Sequence, residues 1–206
     1  MATFSGMRKS LKNGLPGQTM DMSFTSRALP VFIAKMNSHS MAQVLDLGPV
    51  CNENINIFAH RIKKLYICDM FSHLARALEK GAGSKQWWRQ LNYPSGTFDG
   101  ILLWDLPDRL ADGDTNKAGR RCYDMLKPGG MVVVCAATET KKNTEVNAFV
   151  LQKDFRVALR AQPHLNLPLH ARKTGDLIGV LDPLKSVQSF LFRNGLREFI
   201  FCKNKK

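Results

Sequence analysis

The chain has 206 residues, 44% hydrophobic and 23% charged, which suits one domain with a real core and excludes a disordered chain. No apolar run reaches the length of a bilayer-spanning helix, and the basic start M-A-T-F-S-G-M-R-K-S-L-K lacks the apolar centre of a secretory signal, so a cytoplasmic protein with no membrane contact is expected. Lys and Arg number 30 against 17 Asp and Glu, and the net charge of +13 sets up a field that attracts polyanions such as nucleic acid.

Residues 1 to 25 have no sustained period and read as a loose arm, and Ser26 to Ser38 reads as a helix that follows Pro30 and lies on the core as a lid. Together, residues 1–40 form the N-terminal part, and 41–206 the main domain. The next hundred residues alternate short apolar runs with amphipathic stretches, the pattern of a mostly parallel sheet. Met41 to Leu47 is a predicted strand, and Asn54 to Ile62 a helix capped by Asn52 or Asn54. Lys64 to Cys68 is the second strand, ending at Asp69, and Phe71 to Lys80 a helix closed by Gly81. For a third strand the sequence offers only Gln86 to Leu91. Asp99 to Trp104 is a clear buried strand, Asp108 to Leu126 a helix with a break at Gly113, and M-V-V-V-C-A after the K-P-G-G turn another buried strand.

The last third differs. Residues 153 to 173 are basic, carry two prolines and read as an irregular or short-stranded excursion over the sheet. Thr174 to Leu181 is a predicted helix, and two strands joined at Asn194-Gly195 close the chain as a hairpin, since Asn-Gly supplies positive φ. The cysteines, odd in number and set in apolar runs, read as reduced buried thiols. Without Cys, Asp or Glu at ligand spacing from the histidines, no metal site is expected.

In order, the pieces are a strand ending Asp46-Leu47-Gly48, a strand ending at Asp69, the strand F-D-G-I-L-L-W-D, a helix, K-P-G-G, a buried strand and a hairpin. This order resembles the class I S-adenosylmethionine-dependent methyltransferases over roughly residues 41–136, with the closing hairpin at 186–202. The resemblance implies an α/β, Rossmann-like fold with a mostly parallel seven-stranded sheet, helices on both faces and a C-terminal antiparallel hairpin. It implies S-adenosylmethionine as cofactor and methyl transfer to an unidentified acceptor. By the same resemblance Asp46 and Gly48 belong to the glycine turn, with Val50 and Asn52 where further glycines are usual. Asp69 would hold the ribose hydroxyls, Asn92 would take the place of a third-strand acid at the adenine, and Trp104, Asp105 and Leu106 would line the pocket. Trp87 or Trp88 could stack on the base or belong to the core. Asp105 and Asp108 are the candidate catalytic bases, or alternatively acids at a helix start.

Geometry agrees, because ligands of open parallel sheets sit beyond the C-terminal strand ends where strand order reverses. Two other readings stand beside the enzyme. One is a catalytically silent methyltransferase-like interaction module, motivated by Val50, Asn52 and the missing third-strand acid. The other is a basic protein that binds or modifies RNA, motivated by the charge and the stretch 153–173.

Overall fold

The computed structural model describes residues 23–81, 84–138 and 145–205. Its elements are β1 (Ser23–Thr25), α1 (Ala28–Asn37), β2 (Gln43–Asp46), α2 (Asn52–Ala59), β3 (Lys64–Ile67), α3 (Met70–Glu79), β4 (Phe98–Trp104), α4 (Asp112–Met125), β5 (Leu126–Ala137), β6 (Asn147–Leu151), β7 (Arg156–Ala161), α5 (Thr174–Val180), β8 (Lys185–Leu191) and β9 (Leu196–Cys202). Most of the predicted starts and ends fall within two residues of these. Of the N-terminal arm, residues 1–22 lie outside the described residues; Ser23 to Thr25 form β1.

Six strands make one sheet in the order β3-β2-β4-β5-β9-β8, parallel from β3 to β5 and antiparallel through the closing hairpin. The hairpin turns where expected, with Gly195 at φ +76°. β4 and β5 are buried on both faces, and their side chains alternate between two cores. Ile101, Leu103, Val132 and Val134 face α3, α4 and α5, whereas Leu102, Trp104, Val133 and Cys135 face α1 and α2. The α1 helix is therefore part of the core. Its Phe32 seats directly on Gly100 of β4, where an added Cβ would lie 2.4 Å from the phenyl ring.

Among the described residues the sheet expected to have seven strands has six. Ser84–Gln90 is a 3-10 segment and not a strand, because its side chains are too polar for a parallel strand buried on both faces. Its one large apolar anchor is Trp87, which is 2% exposed in the core. The chain thus goes from α3 straight back to β4, and β3 becomes the sheet's edge.

A second sheet of three antiparallel strands, β1-β7-β6, covers the α1–α2 face. Its β7 lies within the basic excursion, and β6 was not foreseen. Two polar residues of α2, Asn54 and Glu53, fasten this sheet to it. Asn54, buried, donates to Phe149 O at 2.8 Å and accepts from the Leu151 N–H at 2.7 Å, and Arg160 pairs with Glu53.

The start of α1 is held from the sheet. Glu198 of β9, buried, accepts from the N–H groups of Arg27 (2.8 Å) and Ala28 (3.0 Å), which satisfies donors that a helix start leaves free. Removing this carboxylate strands two N–H groups inside the protein. Glu198→Ala should lower unfolding stability by about 2–4 kcal/mol in urea titrations, while Glu198→Gln, which keeps one oxygen, should lose less than half of that.

Candidate active site

The strand order reverses between β2 and β4, and three loops meet beyond their C-terminal ends. The first is the turn after Asp46. Asp46 is buried, and its Oδ1 accepts from the Gly48 N–H at 3.0 Å and from the Trp104 indole N–H at 2.7 Å. Burial pushes its carboxyl up to about 6 despite these two donors, and the nearby Asp69 charge adds to the rise.

Asp69 ends β3 and caps α3, accepting from the Ser72 N–H at 2.9 Å and the Ser72 hydroxyl at 2.8 Å. The Val50 N–H approaches Asp69 Oδ2, the oxygen that takes the Ser72 hydroxyl, at 3.4 Å, so the two loops share a wall. Val50 is 57% exposed, and Asn52 is also exposed at the first turn of α2. The N-cap position of α2 belongs to Cys51, not to either asparagine, and Asn54 is committed to β6.

The third loop begins with Trp104. This residue has φ +50°, a left-handed conformation that a bulky side chain rarely adopts, and β4 shifts register against β5 there. The effect is to turn the indole back across the rim. It is 2% exposed, stacks on Phe149 of β6 at 5.4 Å between ring centres, and crowds Gly48 with its Cδ1 and Nε1. A Cβ on Gly48 would sit 2.5 Å from the indole Cδ1, so no residue but glycine fits beneath it.

Behind Trp104 a short 3-10 turn, Leu106–Arg109, is buried throughout. Asp105 is gripped by Arg109, with N–O distances of 3.1 and 3.0 Å, and Arg109 reaches on to Glu145 O at 2.8 Å. Asp108, 1% exposed, accepts from the Ala137 N–H at 2.6 Å. Burial pushes its carboxyl up to about 7, the Asp105 charge adds to this, and Arg172 and Arg109 oppose it. The cavity that these acids line with Arg109, Asn147 and Phe149 measures about 10 Å³, room for one water and not for a substrate. Arg172, buried, closes the rim from the excursion by donating to Pro107 O at 2.7 Å and Leu110 O at 2.6 Å.

The structure therefore brings Asp46, Gly48, Val50, Asn52, Asp69, Trp104 and Asp105 to one rim. Asn92 is not with them: it is exposed before β4 begins, 3.4 Å from Arg121, at the opposite end of the strands. Trp88 faces α4 at that same end and does not reach the rim. Residues missed in the sequence are Phe149 and Asn54, which hold the covering sheet; the apolar run N-A-F-V-L and a polar residue on the inner face of α2 were the available signals. Among the described residues no group of three or more His, Cys, Asp or Glu could hold a metal ion, and no helix is long and apolar enough to cross a membrane.

No protein-family model and no curated protein matches the sequence. Solved structures do match the fold. An S-adenosylmethionine-dependent methyltransferase from Clostridium acetobutylicum superposes with a TM-score of 0.57 at 13% identity, over 86% of this chain and 89% of that one. One from Methanosarcina mazei gives 0.55 at 13% identity, over 86% and 98%. The N-methyltransferase NodS from Bradyrhizobium japonicum, in complex with S-adenosylhomocysteine, gives 0.51 at 15% identity, over 86% and 86%. The chain has the Rossmann-like class I methyltransferase fold.

Asp46 and Asp108 hold their protons more tightly folded than unfolded. Between the ordinary value of 3.8 and the folded values of about 6 and about 7, the native state binds more protons, so these groups make stability fall as pH rises through that interval. Asp108→Asn keeps an oxygen for the Ala137 N–H and abolishes the ionisation. It should raise stability at pH 8 by on the order of 2–4 kcal/mol and leave it unchanged near pH 4, as read by urea unfolding at the two pH values.

Proposed function

We propose that this chain binds S-adenosylmethionine at the C-terminal rim of its sheet and directs the methyl group to an acceptor. The observation that carries this reading is the meeting of Asp46, Gly48 and Asp69 at the ends of two adjacent parallel strands, beside the reversal of strand order, in a methyltransferase fold. That one neighbour of this fold holds S-adenosylhomocysteine supports the choice of cofactor.

The residues fit the cofactor unevenly. Asp69 is half-exposed, and a carboxylate there can accept from both ribose hydroxyls while still capping α3. Exposed Asn52 opens α2, whose free N–H groups favour an anionic group such as a carboxylate. Beside Gly48, however, the indole of Trp104 fills the space that the single glycine leaves for close approach. Binding in the manner of the fold requires that indole to turn away, which would take from Asp46 one of its two donors.

The cofactor supplies an electrophilic methyl group on its sulfonium. The chain's part is alignment and exclusion of water, which suffice for a good nucleophile. Asp105, neutralised by Arg109, serves as a structural ion pair. Asp108 has the proton affinity of a base near neutral pH but stands behind the closed rim, so it would act only once Trp104 and β6 have moved.

The indole seated on Gly48 favours a second reading, a silent module that keeps the fold and the closed rim and acts without cofactor. Calorimetry separates the two. Trp104→Ala, with folding checked by circular dichroism, should bind S-adenosylmethionine and S-adenosylhomocysteine at least tenfold more tightly than the native chain. Absence of binding heat in both proteins at millimolar ligand would overturn the cofactor reading and leave the silent one.

A further inference from the structure

Two adjacent tryptophans in the 3-10 segment part company. Trp87 enters the core, whereas Trp88 is 42% exposed and lines two clefts. Around it stand Arg89 from the same segment and Lys117, Arg120 and Arg121 from the outer face of α4. Lys117 is paired with Asp114 at 3.2 Å, and Asp124 lines the same cleft as Arg120 and Arg121.

The indole and Arg121 form the common wall of two clefts, of about 480 and 330 Å³, each within the size range of a site for one small ligand. Arg121 is fixed in place, since its Nε donates to Leu91 O at 2.7 Å and its Nη2 lies 3.4 Å from Asn92 Oδ1. Arg120 is oriented by Asn116 at 3.0 Å. An ordered guanidinium loses little further freedom when it meets a phosphate, and its planar fork suits that group.

We propose that this face binds single-stranded nucleic acid, with a base stacked on Trp88 and flanking phosphates on Arg89, Arg120 and Arg121. The occupant follows from the chemistry. Three arginines call for a polyanion, the net charge of +13 steers one in, and an exposed indole between them rewards a ligand whose bases are unpaired and free to stack. The stretch 153–173, the other basic candidate, is less suited, because its Arg172 is buried and none of its large apolar side chains is exposed for a base to stack on.

The face lies at the N-terminal ends of the strands, since α4 starts beyond β4 and returns to the beginning of β5. It is therefore separate from the Gly48 rim, and its test is independent of the cofactor experiment.

Fluorescence anisotropy with an end-labelled oligouridine of roughly 12 nucleotides, within the span that such sites take, reads the interaction directly. Binding at low ionic strength should weaken as a straight line of log affinity against log salt. Trp88→Ala should weaken it about tenfold, Trp88→Phe should retain most of it, and Arg120→Ala should lower the salt slope by about 0.7. Melting curves of the variants confirm that they are folded, which substitution at these exposed positions favours. Equal affinity of Trp88→Ala and native chain, equal affinity for a duplex of the same length, or no binding at low salt would each overturn the proposal.

Discussion

A single hydrogen bond organises the upper end of this molecule. The Trp104 indole donates to Asp46, and this draws the last residue of β4 across the turn that follows β2. Several features follow from that one bridge. Gly48 has to be glycine, Trp104 has to accept a positive φ, and Phe149 of β6 gains a flat partner on which to stack. The carboxylate that receives the bond stays buried, and its raised proton affinity is the electrostatic cost of keeping it there.

The covering sheet converts that local bridge into a closed rim. Asn54 satisfies one N–H and one C=O of β6 with a single amide, and Arg109, already paired to Asp105, reaches the carbonyl of Glu145 just before that strand. Polar groups that a ligand would otherwise use are spent on holding the chain to itself. Asp105 and Asp108 sit among these internal contacts and not on an open cleft.

Much of the fold was legible because buried parallel strands leave continuous apolar runs such as I-L-L-W and V-V-V-C, and because Gly81 after α3 and Gly195 in the closing hairpin mark turns as positive-φ positions should. The acids Asp46 and Asp69 stood out for the same reason, each closing such a run. What sequence could not give was the direction of Trp104, since a tryptophan at a strand end reads the same whether it faces a ligand or its own backbone. Nor could it place Asn92, whose position depends on the missing third strand: with Ser84–Gln90 coiled instead of extended, the chain never climbs back to the rim before β4. The covering sheet was hidden by its pairing partners, as β1 and β7 lie more than a hundred residues apart and neither is apolar throughout.

The contacts of Asn54 span 95 and 97 residues of chain. Contacts of such long range close large loops, and any opening of the rim has to break them. Any ligand that needs the space beside Gly48 meets a binding-competent fraction smaller than one. Its apparent dissociation constant is the intrinsic one divided by that fraction, and a local opening that costs about 3 kcal/mol would weaken a micromolar site by roughly 150-fold. Measured affinity at this rim therefore reports the strength of a protein's grip on itself as much as its fit to what it binds.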